Sequence, residues 1–113
     1  MQSALMVLDL TQLRNVTLDD QALMRDVIRA LVNDASQRIE ELTTAIEGVD
    51  SVACIRLAHS AQGACLNVGA ASMAALFWSV EQHASNGDFI GCRLSLEKLS
   101  IELDKLRLEA SAV

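Results

Sequence analysis

The stretch RLAHSAQGACLNVGA, residues 56–70, decides how the rest of the chain reads. At about 100° per residue, Cys54, Leu57, Ala58, Ala61, Ala64, Cys65 and Val68 gather in one arc of a helical wheel. That arc is the predicted core face. His59 lies roughly 150° from its centre and is expected to point to solvent. The segment is therefore an amphipathic helix with a histidine on its outer side, and the sequence to either side continues the helical pattern.

Upstream, a long helix is expected from about Asp20 to Glu47. Leu23, Val27, Leu31, Ala35, Ile39, Leu42 and Ile46 form its inward stripe, with Arg29, Asn33, Gln37, Glu40 and Glu41 outward. Thr17 or Asp19 is placed to cap it, Asp19 and Asp20 complement its dipole, and Gly48 ends it. Asp50 caps the helix that carries His59, which runs to about Val68 and breaks at Gly69. A third helix, about Ala70 to Ser85, turns Met73, Phe77, Val80 and Ala84 inward before the Asn86-Gly87 stop signal. The last, about Asp88 to Ala110, repeats Phe89, Cys92, Leu96, Leu99, Leu103 and Leu106 at near-heptad spacing. Ahead of all four, ALMVLDLTQLRNV (residues 4–16) reads as a short apolar segment ending in a turn of helix. Helices joined by short turns pack as antiparallel neighbours. The expected fold is all-α: an up-down-up-down four-helix bundle with a short N-terminal helical segment, residues 1–113 forming one domain.

Bulk composition agrees. In 113 residues, apolar types make up 51% but aromatics only 3%, and proline is absent. Such a chain favours helices packed through Leu, Ala, Val and Ile over sheet. A net charge of −6 argues against nucleic acid and anionic membrane as partners. No apolar run approaches the roughly 20 residues of a membrane span, and no secretory signal opens the chain. Cys54, Cys65 and Cys92 are odd in number, form no CxxC, and read as reduced, buried thiols. The cytoplasm is the expected compartment.

The wheel also limits the chemistry. His59 and Cys65 lie about 240° apart, so they form neither a nucleophile–base pair nor a shared metal site. No residue of the same helix stands at zinc-like spacing from His59, so no metal ligands are assigned. His83, beside Gln82 on another helix, reads as a surface histidine. The outer face around His59 carries Val52, Ile55, Gln62, Gly63 and Leu66, with Arg56 at its edge, where glutamates and lysines would be ordinary. Exposed apolar surface of that kind marks a partner site. Gly63 costs about 1 kcal/mol of helix stability relative to alanine and leaves clearance beside the imidazole for another protein's reactive group.

These residues resemble the signature of the histidine-containing phosphotransfer (HPt) domain, commonly A-H-x-L-K-G-x-A-x-x-hydrophobic-G. Ala58, His59, Gly63, Val68 and Gly69 match it, and Cys65 stands in for the alanine. LDLTQLRNV (residues 8–16), the long first helix and LFWSVEQHASNGD (residues 76–88, with a family-like Glu81 and the Gly87-Asp88 turn) fall at the expected intervals. The resemblance implies a four-helix bundle whose exposed histidine takes a phosphoryl group from a receiver-domain aspartate and passes it to another receiver. It implies no kinase activity and no cofactor in this chain, the Mg²⁺ being the receiver's. Partners would be response-regulator receiver domains, a hybrid sensor kinase, or both. On this reading His59 is the phosphoacceptor, Gln62 and Gly63 shape the phosphate's space, and Val52, Ile55, Arg56 and Leu66 dock the receiver. Imidazole in its uncharged form is nucleophilic at neutral pH, and phosphoryl transfer asks mainly for alignment and charge neutralisation.

Two positions depart from the pattern. Gln62 replaces the usual lysine, which would offset phosphate charge, and Ala61 replaces a leucine, leaving core volume for Phe77 or Trp78. The alternative is a degenerate relative that binds a receiver or kinase without transferring phosphate. A thiol- or histidine-dependent hydrolase and a purely structural dimer are further rivals. On the last helix, Ile90, Leu94, Ile101 and Leu108 form a second apolar stripe opposite the core. It is suited either to cover by Leu5, Leu8, Leu10 and Leu13 or to a homodimer through that helix.

Overall fold

The computed structural model describes residues 20–112, which form four helices: α1 (Gln21–Glu47), α2 (Ser51–Asn67), α3 (Ala71–Ser85) and α4 (Phe89–Ala112). Each helix packs on the next and α4 closes back on α1, so α2 and α4 are diagonal, as are α1 and α3. This is the antiparallel four-helix bundle the periodicity predicts. The N-terminal segment expected to be helical, and to cover the last helix, lies outside the described residues.

Short turns make neighbours antiparallel, and each turn is built by the same local chemistry. At the end of α1, Val49 N–H donates to Ile46 O at 3.1 Å and Asp50 N–H to Ala45 O at 2.9 Å. At the end of α2, Gly69 donates to Leu66 O and Ala70 to Cys65 O; at the end of α3, Gly87 donates to Ala84 O and Asp88 to His83 O. These paired bonds are Schellman closures, which need a left-handed residue just past the cap. Gly69 (φ 76°) and Gly87 (φ 69°) supply it in two turns, and Val49 (φ 51°) supplies it in the first. Gly48 itself stays right-handed at φ −80°, so the residue expected to stop α1 is not the one that makes the turn.

Two of these turns also start the following helix. Asp50 Oδ1 accepts from Ala53 N–H at 3.0 Å, capping α2, and Asp88 Oδ1 accepts from Gly91 N–H at 2.9 Å, capping α4. The cap of α1 is Asp20, whose Oδ1 accepts from Leu23 N–H at 3.1 Å, rather than Thr17 or Asp19.

The core holds Ile28, Leu42 and Ile46 of α1, Cys54, Ala58 and Ala61 of α2, Met73, Phe77 and Val80 of α3, and Cys92, Leu99 and Leu106 of α4. The inward stripe of α1 differs from expectation at its N-terminal end. Met24 and Ile28 are buried, while Leu23 is exposed and Val27 half-buried. Stepping back from Leu31 by three and then four residues, not four and four, keeps the stripe facing α4. Ala64, Val68, Phe89 and Leu96 sit at the core margin, half-buried. Phe77 is wholly buried and lies in the same core as Ala61, whereas Trp78 is exposed and fills no core volume. Ile90, Leu94, Ile101 and Leu108 form an exposed line along α4. Among the described residues no helix is long and apolar enough to cross a membrane.

All three thiols are buried and unpaired. Burial pushes the Cys65 and Cys92 thiols up to about 11. Burial raises Cys54 too, and Asp50 adds to the effect.

Candidate functional site

His59 stands at the middle of α2 on the side turned away from the core, with 77% of its side chain exposed. The packing of α2 fixes that direction. Cys54, Leu57, Ala58, Ala61 and Cys65 are buried on the opposite arc, and each small residue lets the neighbouring helices approach.

The imidazole is nevertheless held on one side. Its Nδ1 lies 3.3 Å from Glu81 Oε1, and the same oxygen accepts from Gln62 Nε2 at 2.5 Å. Glu81 projects from α3 and is only 19% exposed, so its carboxylate is a fixed post between two helices. With Nδ1 protonated and donating to that carboxylate, Nε2 carries the free lone pair and points to solvent. Glu81 is the residue the wheel of α2 alone does not supply. Its position in LFWSVEQHASNGD marks it, but the contact requires the register of α3 against α2.

The other expected residues take the following places. Gln62, half-buried, is committed to Glu81 rather than extended over the imidazole. Gly63 is exposed, and a Cβ added there would meet nothing within 4 Å, so the space beside His59 is open. Val52, Arg56 and Leu66 are exposed on the same outer face, and Ile55 is half-buried beside them. On the α1 side, Arg38 donates through Nη1 to Ser60 Oγ at 3.0 Å and through Nε to Asp34 Oδ2 at 2.7 Å. Trp78, one turn before Glu81 on α3, is 53% exposed.

His83 is not a free surface histidine. It is half-buried at the end of α3, its Nδ1 lies 3.0 Å from Asp88 Oδ2, and its ring rests on Gly91, where a Cβ would collide with it. It belongs to the α3–α4 turn. Among the described residues no group of three or more His, Cys, Asp or Glu side chains is placed to hold a metal ion.

An exposed imidazole, oriented by one carboxylate and flanked by bare backbone, is placed to attack through Nε2 an electrophile brought to it. Comparison with known proteins gives the fold and the family. Among solved structures, the crystal structure of histidine-containing phosphotransfer protein B (HptB) from Pseudomonas aeruginosa PAO1 has a TM-score of 0.86 at 24% identity. The match covers 97% of this chain and 95% of that one. That likeness establishes the shared fold. No curated protein matches the chain. The family model described as Hpt domain matches residues 26–109, spanning α2, the His59 motif and Glu81. By that match over most of its length, the chain belongs to the Hpt domain family.

Proposed function

We propose that this Hpt domain carries a phosphoryl group on His59 Nε2 between receiver-domain aspartates of a phosphorelay, acting as a carrier and not as a kinase. The observation that carries the reading is the His59 ring itself: exposed, tethered through Nδ1 to Glu81, and open on the Gly63 side.

The step balances within these groups. The Nε2 lone pair attacks the phosphorus of the receiver's aspartyl phosphate. The N–P bond forms, the P–O bond breaks, and the electron pair returns to the aspartate carboxylate. Nδ1 keeps its proton, so the ring becomes cationic as the bond forms, and the Glu81 carboxylate stabilises that charge. Transfer onward is the reverse sequence with a second receiver. Mg²⁺ on the receiver would neutralise the phosphoryl oxygens, and what this chain contributes is an aligned nucleophile on a rigid helix. Val52, Ile55, Arg56 and Leu66 would form the docking surface, apolar at its centre and charged at its edge.

Incubation with a phosphorylated receiver and Mg²⁺, followed by mass measurement, tests the reading. The expected outcome is a gain of one acid-labile phosphoryl group that His59→Gln abolishes. Tight receiver binding with no mass gain across a panel of receivers would instead identify a degenerate binding module.

A further inference from the structure

In the family pattern, a lysine one turn after the histidine balances the phosphate. Here that position is Gln62, whose amide is tied to Glu81. A phosphoryl group on His59 would therefore sit beside a carboxylate with no cation on the α3 side. Arg38 on the α1 side is already engaged by Asp34 and Ser60.

Arg56 is differently placed. It stands three residues before His59, so the two side chains are neighbours on one helix face. It is exposed and makes no hydrogen bond or ion pair among the described residues. By helical geometry Arg56 and Gly63 share the α1-facing side of His59, opposite Gln62. Gly63 puts no side chain in that space, and a Cβ built there would meet nothing within 4 Å, which leaves room for a guanidinium swung over from position 56.

We infer that Arg56 is the counter-charge of the phosphorylated site, supplying from one turn before the histidine what a lysine one turn after it would otherwise supply. The inference rests on His59 being the phosphoacceptor. Arg56 then has a role apart from receiver docking: it pairs with the phosphoryl oxygens when no receiver is present. Its planar fork suits two of those oxygens at once.

A receiver-free experiment separates these roles. The protein is phosphorylated with phosphoramidate. His59 Nε2 displaces ammonia from phosphorus, the P–N bond of the reagent breaking as the new N–P bond forms. The phosphorus-31 signal, assigned with His59→Gln, is followed against pH. A nearby cation favours the dianionic phosphoryl group and holds its ionisation midpoint down. Arg56→Gln is expected to raise the midpoint by about 0.2–0.7 of a pH unit, the span an exposed ion pair supports. Arg56→Lys should keep most of the wild-type value. Arg93→Gln, which removes the same charge from the diagonal helix α4, should leave it in place. No displacement in Arg56→Gln, or an equal one in Arg93→Gln, overturns the inference while leaving the acceptor intact. A wild-type protein that shows no signal, or a signal that survives His59→Gln, overturns the acceptor reading and this inference with it.

Discussion

Val49 shows how much a single backbone angle can cost. Its φ of 51° is left-handed, a region that a β-branched side chain occupies only under strain. The residue is 61% exposed and returns little burial for that strain. Val49→Gly is expected to raise stability by about 0.5–1 kcal/mol, seen as a higher denaturant midpoint at unchanged slope. A lower midpoint would mean that Val49 makes contacts worth more than its strain. Gly48 is the residue that catches the eye in the sequence, because glycine is the usual left-handed residue past a helix end. Which of two adjacent residues takes that angle depends on where the last helical hydrogen bonds close. Gly69 and Gly87 do occupy the left-handed position, so the ends of α2 and α3 were legible from where the glycines stand in the sequence.

At the level of the helices, periodicity located all four but not the phase of α1 throughout. In LMRDVIRALV (residues 23–32), apolar residues stand at both 23, 27, 31 and 24, 28, 31, so two stripes compete. Packing against α4 buries the second. The outward face of His59 was legible because α2 has one arc of small residues and only one way to bury it. The partner of its Nδ1 was less so, since Glu81 comes from another helix and the pairing depends on the register of α2 against α3. Glu81→Ala removes both the carboxylate that orients the ring and the acceptor of Gln62. Phosphoryl uptake from phosphoramidate is expected to slow about ten-fold, the lower end of the loss seen when metal-bound histidines lose their orienting partner. Nitrogen-15 spectra of the ring should move toward a mixture of tautomers, while helix content stays constant. An unchanged rate with a single Nδ1–H tautomer would remove Glu81 from the mechanism.

Across the whole bundle, three protonated thiols are buried where a thiolate would be poorly solvated. The sign of the pH effect follows from their raised values. In the unfolded chain the thiols lose their protons near the ordinary value of about 8.5, whereas in the fold Cys65 and Cys92 hold theirs to about 11. Their contribution is complete below about pH 8.5 and is lost as pH climbs through the folded values near 11. The denaturant midpoint is therefore expected to fall between pH 8 and pH 10.5, and the fall should shrink when Cys54, Cys65 and Cys92 are replaced together by alanine. An identical fall in that variant would place the alkaline sensitivity elsewhere. Burial of these cysteines was readable from their helical positions. The half-buried seat of His83 was not, because it depends on the turn that brings Asp88 and Gly91 beneath the ring.

The bridge from His59 to Glu81 spans two helices, and this has a consequence for a population of such molecules in a cell. A frayed or misfolded copy still contains His59, but it has lost the neighbour that fixes which nitrogen faces outward. Phosphate acceptance, if His59 is the acceptor, would thus serve as an audit of tertiary structure. On the proposed reading, a copy whose α2 and α3 have come apart would take up phosphate more slowly than an intact one.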